Sequence, residues 1–253
     1  MMRQEYDQYT KEDFDVWKIL FERQEQNLQD KACTEYLECL QQMKEVLHAN
    51  QIPRFEELDA ALTAATGWSI KVVPGLIPER EFFTLLAERR FCSSTWLRTK
   101  AQLDYLEEPD MFHDIFADVP LLMTPDYANF MQAIGQLGVQ HIDSDEAILQ
   151  LKRLYWFTIE FGLFRKAGQL QIYGAGIISS FGESNHIYKN TVGIDPFEMI
   201  KVLQQEFINS EIQTQYFEVN SFEEIYSSMD KLKASLLVAA TEKGGEKSIS
   251  ADM

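Results

Sequence analysis

Apolar side chains recur along the chain at the spacing of a helix face. In the first fifty residues, Phe14, Trp17 and Phe21 follow one another at intervals of three and four, which places them on one side of a helix. Pro53 interrupts the pattern because its ring removes an amide hydrogen that a helix uses, and Gly67 is typical of a helix end. Beyond Pro53 the same spacing predicts five helices, over residues 55–65, 79–90, 126–137, 145–164 and 222–240.

Few segments have the pattern of a strand, and those are short. Apolar and polar side chains alternate over residues 69–73, and residues 216–219 form a second short strand pattern. A further apolar stretch, residues 169–180, is broken by Gly174 and Gly176. Because the short strands do not alternate regularly with the helices, we predict a mainly helical α+β fold. We expect one domain over residues 1–240, with a helical part (1–67), a core (68–230) and a disordered tail (241–253).

The composition narrows the function classes. The 253 residues include 40 acidic and 23 basic side chains, a net charge of −17, which disfavours binding to nucleic acids and to anionic membranes. The N-terminus has no apolar segment after its charges, so we expect no signal peptide. The longest apolar run, within residues 234–240, is too short to span a bilayer. Three cysteines without a CxxC spacing indicate free thiols in a reducing compartment, and we expect a cytoplasmic protein.

One histidine and two aspartates lie within six residues of an otherwise apolar segment. His113, Asp114 and Asp118 follow an acidic run at residues 107–110 that is typical of a helix start. Buried ionisable groups need partners or a metal ion. In an α-helix, residues five apart are rotated by roughly 140°, so His113 and Asp118 would approach a shared ion only from its flanks, whereas Asp114 and Asp118 share a face. The spacing alone leaves open a structural role, with one hydrogen-bonded histidine and capping or solvated carboxylates.

A single carboxylate lies inside a second apolar segment. Glu160 belongs to residues 155–163, which are otherwise apolar or weakly polar. A buried carboxylate there is costly unless it meets a cation. That cation is either a metal ion or the side chain of Arg153 or Arg165, and the sequence does not choose between them.

Three motifs in register resemble the pterin-dependent aromatic amino acid hydroxylases. The family pattern P-D-x-x-H-[DE]-x-x-G-H-V-P corresponds to PDMFHDIFADVP at residues 109–120, and the two others are YWFTIEFG at 155–162 and YGAGIISS at 173–180. The resemblance extends from about residue 73 to 183 and more weakly to 230, and the length is similar to that of bacterial members. It implies a single catalytic domain that hydroxylates an aromatic ring with non-haem Fe(II), tetrahydropterin and O2.

The resemblance also implies a role for individual residues. His113, Asp118 and Glu160 would bind the iron. The substrate would contact Arg98, Pro109, Trp156 and Ser179. Phe82 would stack on the pterin ring, the backbone near Ile77 would contact the pterin edge, and Asp114 would hydrogen-bond the pterin indirectly. Tyr155 would lie near the iron as a catalytic residue. For the aromatic residues among these, ordinary core packing is the open alternative.

Asp118 is the main departure from the family pattern, which has histidine there; Ala117 replaces the preceding glycine. An aspartate ligand would give one histidine and two carboxylates, a set that favours harder ions such as Mn²⁺ or Mg²⁺. Three hypotheses follow: an active hydroxylase, with phenylalanine preferred over tryptophan or tyrosine; a catalytically impaired protein that binds an aromatic amino acid or pterin; and a metalloenzyme with another reaction. We expect a monomer, because the last helix lacks sustained heptads.

Overall fold

The computed structural model describes residues 2–104, 106 and 108–246, with the backbone alone for residues 241–246. The mainly helical α+β class is confirmed. The α-helices are α1 Lys11–Leu28, α2 Thr34–Gln42, α3 Phe55–Thr66, α4 Glu79–Ala87, α5 Pro125–Gln140, α6 Asp145–Tyr155, α7 Ala175–Ile178, α8 Phe181–His186, α9 Met199–Gln204, α10 Phe222–Ser227 and α11 Met229–Glu246. The strands are β1 Ser69–Val72, β2 Arg90–Ser93, β3 Gly162–Lys166, β4 Gln169–Ile172, β5 Gly193–Pro196 and β6 Gln215–Val219.

The strands form two small sheets. Strands β1 and β2 pair in parallel, and a four-stranded sheet has the order β4-β3-β6-β5. In the larger sheet β3 is antiparallel to β4 and parallel to β6. Strands β3, β4 and β5 lie outside the predicted strand segments. Strand β3 begins within the helix that was predicted to continue to residue 164. The predicted helix over residues 79–90 likewise ends at Ala87, and β2 follows it.

Local side-chain chemistry fixes several helix ends. Gly67 ends α3 with a positive φ of 77°, as predicted. Ser221 caps α10, its Oγ accepting a hydrogen bond from the Glu224 amide at 3.3 Å. The Glu224 carboxylate in turn accepts a hydrogen bond from the Asn220 amide at 2.7 Å. The predicted helix over residues 222–240 is in fact two helices, α10 and α11, with Ser228 between them.

An aromatic cluster positions the first candidate segment in the core. The rings of Phe112 and Phe116 stack at 4.8 Å. Phe116 lies 4.9 Å from Phe21 of α1, and Phe112 lies 5.7 Å from Trp17. All four side chains are buried. The segment that carries His113 and Asp118 is therefore held against α1 through these rings.

Helix α4 lies very close to α5 because two glycines leave room for it. A Cβ atom at Gly135 would overlap the backbone of Leu86 and Ala87, and one at Gly138 would overlap the ring of Phe83. This close approach fixes the position of Phe82 on α4, which is one of the candidate site residues.

The disordered tail expected over residues 241–253 stays a prediction. Helix α11 continues to Glu246, into the segment for which disorder was predicted, and residues 247–253 lie outside the described residues. Residue 107 of the predicted helix start also lies outside them. Within the described part of the chain, none of the helices has both the length and the apolar character needed to cross a bilayer. Cys33, Cys39 and Cys92 are free thiols, and the expectation of a monomer stays a prediction.

Candidate active site

Two short π-helical turns carry the candidate metal ligands. His113–Asp118 forms one and Trp156–Glu160 the other, and in the second the Phe161 amide donates to the Trp156 carbonyl at 2.8 Å. A π turn joins residues five apart and often occurs at functional sites. It brings His113 and Asp118 towards one side, which corrects the expectation of a wide separation drawn from α-helical geometry.

The side chains of His113, Asp118 and Glu160 converge. His113 Nε2 lies 3.5 Å from Asp118 Oδ2 and 3.5 Å from Glu160 Oε2. Ligand-capable atoms of His113, Asp114 and Asp118 all lie within 4.8 Å of one another. Asp114, which the resemblance assigns to the pterin, is therefore also within the cluster. The other ring nitrogen, His113 Nδ1, forms a 2.8 Å hydrogen bond with Ser179 Oγ, so the ring orientation is fixed with Nε2 towards the carboxylates.

The cluster has an excess of buried acidic groups. Burial raises the pKa of Asp114 to about 8 and that of Glu160 to about 7. Burial, then the charges of Glu160 and Asp114, raise the pKa of Asp118 well above its usual range. Burial lowers the pKa of His113 to about 4, so its imidazole is neutral at pH 7. Each carboxylate here therefore lacks the compensation that a cation would give.

These residues fit a divalent cation. Asp118 Oδ1 is buried and has no hydrogen-bond partner among the described residues. Among the described residues, no lysine or arginine forms an ion pair with Asp118 or Glu160. The only ionisable partner of either carboxylate there is His113. The two arginines that the sequence offered to Glu160 contact other groups, since Arg153 donates to the Leu203 carbonyl and Arg165 pairs with Glu218. One imidazole and two carboxylates in a buried cluster are suitable donors for a divalent metal.

One side of the cluster is open. The side chains of His113 and Glu160 are 16% and 15% exposed, whereas that of Asp118 is 1% exposed. Asp118 therefore forms the closed end of the site, and a ligand would enter past His113 and Glu160.

A buried ion pair lies on the other side of His113. Arg98 Nε and Nη2 each donate to Asp110 at 2.9 Å, and Asp110 also accepts from the amides of Arg98 at 2.9 Å and His113 at 3.1 Å. Burial opposes ionisation, but the hydrogen bonds and charge of Arg98 hold the pKa of Asp110 below its usual value. Sequence reasoning missed Asp110, although a buried arginine requires an acidic partner. The predicted contact of Arg98 with the substrate carboxylate stays a prediction.

Aromatic side chains form the rim. Phe82 and Tyr155 meet edge to face at 5.4 Å, and both are half-buried at the border of the core. Trp156 stacks on Phe207 at 4.4 Å, and its Nε1 donates to Gln213 Oε1 at 3.1 Å. No sequence signal pointed to Phe207 or Gln213, because they lie about fifty residues further along the chain.

The remaining predicted contacts have the following surroundings. Pro109 is exposed, and Ile77 is half-buried in the loop before α4. Asp114 Oδ2 accepts from the Ser94 amide at 2.9 Å. Ser179, assigned to substrate binding, contacts the imidazole of His113.

Comparisons with known proteins identify the family of this chain. A family model described as biopterin-dependent aromatic amino acid hydroxylase matches residues 5–239. Phenylalanine-4-hydroxylase of Ralstonia nicotianae is 42% identical over 231 residues, which are 90% of this chain and 72% of the relative.

Solved structures give the same result. Phenylalanine hydroxylase from Chromobacterium violaceum, with bound iron(III) and oxidised cofactor 7,8-dihydrobiopterin, matches with a TM-score of 0.87 at 41% identity, covering 94% of this chain and 86% of that one. The same enzyme bound to cobalt matches with a TM-score of 0.87 at 39% identity, covering 93% and 86%. The match spans nearly all of the folded chain, and this protein belongs to the biopterin-dependent aromatic amino acid hydroxylase family.

Proposed function

We propose that this protein hydroxylates phenylalanine to tyrosine, using Fe(II), tetrahydropterin and O2. The observation that carries the proposal is the convergence of His113, Asp118 and Glu160 around an unpartnered buried oxygen, next to a buried arginine. The relatives named phenylalanine-4-hydroxylase support the choice of substrate. Iron and tetrahydropterin, when bound, supply the activation of dioxygen, and the protein supplies binding, orientation and a dry pocket.

His113, Asp118 and Glu160 would hold the metal. Ligation by Nε2 requires the ring hydrogen on Nδ1, where Ser179 Oγ accepts it. The neutral imidazole and two ionised carboxylates would balance the two positive charges of the metal. This charge balance differs from that of two histidines and one carboxylate, the usual set for non-haem iron oxygenases.

Arg98 would bind the carboxylate of the amino acid. Its guanidinium is held by the two hydrogen bonds that it donates to Asp110, so little conformational entropy is lost when a substrate arrives. Trp156, fixed by Phe207 and Gln213, and Pro109 would line the pocket for the aromatic ring. A ring without polar atoms suits this apolar lining, and it needs no further hydrogen-bond partner.

The pterin would lie on the open side. Phe82 would stack on its ring system, the backbone near Ile77 would contact its edge, and Asp114 would hydrogen-bond it indirectly. Tyr155, at 5.4 Å from Phe82, would close the space between pterin and metal and limit the access of water.

The decisive experiment supplies Fe(II), tetrahydropterin and O2 to the folded protein with phenylalanine, tyrosine or tryptophan, and detects products by mass spectrometry. We expect tyrosine from phenylalanine, and no product from the matched variant Glu160→Gln. Folded, iron-loaded protein that gives no hydroxylated product from any of the three amino acids would refute the proposal. Binding of phenylalanine in calorimetry without turnover would instead identify a binding protein. A stoichiometric metal other than iron in the purified protein would identify a metalloenzyme with another reaction.

A further inference from the structure

A second unpartnered polar atom belongs to the neighbourhood of Asp118. Asp118 Oδ1 and the hydroxyl of Tyr127 are both buried without a hydrogen-bond partner among the described residues. Tyr127 is 1% exposed and packs edge to face on Phe222 at 5.2 Å. A buried polar group without a partner costs free energy, so each such group requires an explanation.

The chain path places Asp118 and Tyr127 nine residues apart, on either side of one short turn. Asp118 ends the first π turn, a 3-10 turn follows at Pro120–Met123, and Tyr127 lies in the first turn of α5. Burial, and next the charge of Asp118 followed by that of Glu160, raise the pKa of the Tyr127 hydroxyl. Among the charged groups, Asp118 has the largest effect on this hydroxyl.

The two groups are also chemically complementary. An ionised carboxylate only accepts hydrogen bonds, whereas a phenol can donate one. Asp118 Oδ2 already points towards His113 Nε2 at 3.5 Å, which leaves Oδ1 as the atom that lacks a donor. A tyrosine at position 127 can supply that donor, and a phenylalanine of nearly the same shape could not.

We propose that the Tyr127 hydroxyl donates a hydrogen bond to Asp118 Oδ1 across one buried water, and so presents Oδ2 to the metal. Tyr127 is then a positioning residue for the ligand that distinguishes this chain from the family pattern. Its hydrogen bond restricts rotation of the carboxylate about its last side-chain bond and favours binding through one oxygen. The inference rests on the proposed metal site.

The test measures binding of Co²⁺ alone by calorimetry and by visible absorption, in the wild type and in Tyr127→Phe. Phenylalanine keeps the ring contact with Phe222 and removes only the hydroxyl. We expect affinity to fall roughly tenfold, the lower end of the range for residues that orient metal ligands, and the absorption bands to shift. The matched control is Tyr173→Phe, since Tyr173 is equally buried and packs on Phe222 at 5.1 Å. It should leave affinity and spectrum unchanged.

A double-mutant cycle with Asp118→Ala separates positioning from general packing. In the Asp118→Ala background, Tyr127→Phe should change the residual Co²⁺ affinity by less than about twofold, because the acceptor is gone. The same cycle in metal-free protein, measured by urea unfolding, should show a coupling of roughly threefold to tenfold in the unfolding equilibrium constant.

The outcomes distinguish the two proposals. Wild type that binds Co²⁺ as tightly, and with the same spectrum, as Tyr127→Phe would overturn the role of Tyr127 and leave the metal site intact. Wild type that binds no divalent metal, but still shows coupling in the metal-free cycle, would sink the metal site and support the hydrogen bond. Absence of coupling in the metal-free cycle would overturn the hydrogen bond itself.

Discussion

Two buried aspartates on either side of His113 have opposite electrostatic situations. Asp110 and Asp118 are eight residues apart, and both are essentially inaccessible to solvent. Asp110 accepts four hydrogen bonds, two of them from the Arg98 guanidinium, and its pKa is lowered. Asp118 has no arginine or lysine partner in the described chain, one of its oxygens has no hydrogen bond, and its pKa is raised.

The difference separates a structural carboxylate from a binding one. The compensation for Asp110 is internal to the protein and is present as soon as the chain folds. The compensation for Asp118 must come from outside, as a cation. Burial of a carboxylate therefore does not indicate its role; the presence or absence of an internal partner does.

The largest effect is expected from Asp110→Ala. This change leaves the Arg98 charge and two amides without their acceptor, and breaking such a buried pair from one side costs roughly 3–5 kcal/mol. Urea unfolding of the metal-free protein measures it. Arg98→Met serves as control and should cost less, because Asp110 retains its two amide donors. A loss below about 1 kcal/mol, the usual net value of a single hydrogen bond, would contradict the structural role of Asp110.

Asp118→Asn should have the opposite effect on stability and a large effect on binding. Removing an uncompensated buried charge should leave the metal-free unfolding free energy unchanged or higher. Fe(II) affinity should fall by more than the roughly 10–100-fold typical of outer residues, and metal should no longer raise the unfolding temperature. Asp118→Asn that destabilises the metal-free protein as much as Asp110→Ala would remove the distinction between the two aspartates.

The comparison also shows which features the sequence could predict. Helical periodicity located most of the long helices, and Gly67 marked the end of α3. Helical periodicity could not reveal the two π turns. One inserted residue leaves the spacing of three to four residues unchanged on each side of the turn. Strand β3 was predicted as part of a helix because the mainly apolar segment Trp156–Glu160 continues almost directly into it.

The site was predictable to the extent that its members lie in recognisable motifs. His113, Asp118 and Glu160 were singled out from local sequence and lie together, while their binding of iron stays a prediction. The partners that come from distant segments were not predictable. Asp110 with Arg98, Ser179 with His113, and Gln213 with Trp156 are contacts that depend on the packing of separate elements.

A moderate effect is expected from Ser179→Ala, which tests how the imidazole between the two aspartates is held. Loss of the 2.8 Å hydrogen bond at Nδ1 frees the ring to rotate and to change its tautomer. Metal affinity should fall by roughly tenfold, near the lower limit for such partners, with little change in metal-free stability. Ser180→Ala removes the neighbouring hydroxyl, which caps α8 instead, and should leave metal affinity intact. An equal loss of affinity in both variants would show that Ser179 acts through packing alone.

The smallest and most informative effect is expected from Asp118→His, which changes the ligand type without removing it. An imidazole in place of a carboxylate reduces the negative charge of the site and replaces a hard oxygen donor with a nitrogen donor. The preference for Fe(II) over Mn(II), measured by competition and elemental analysis, should therefore rise several-fold, because nitrogen ligands favour the later metal more than oxygen ligands do. Glu160→Asp keeps the donor type and is the control, so it should lower both affinities without changing their ratio. An unchanged ratio in Asp118→His would show that the side chain at position 118 does not reach the metal, and that its burial has another cause.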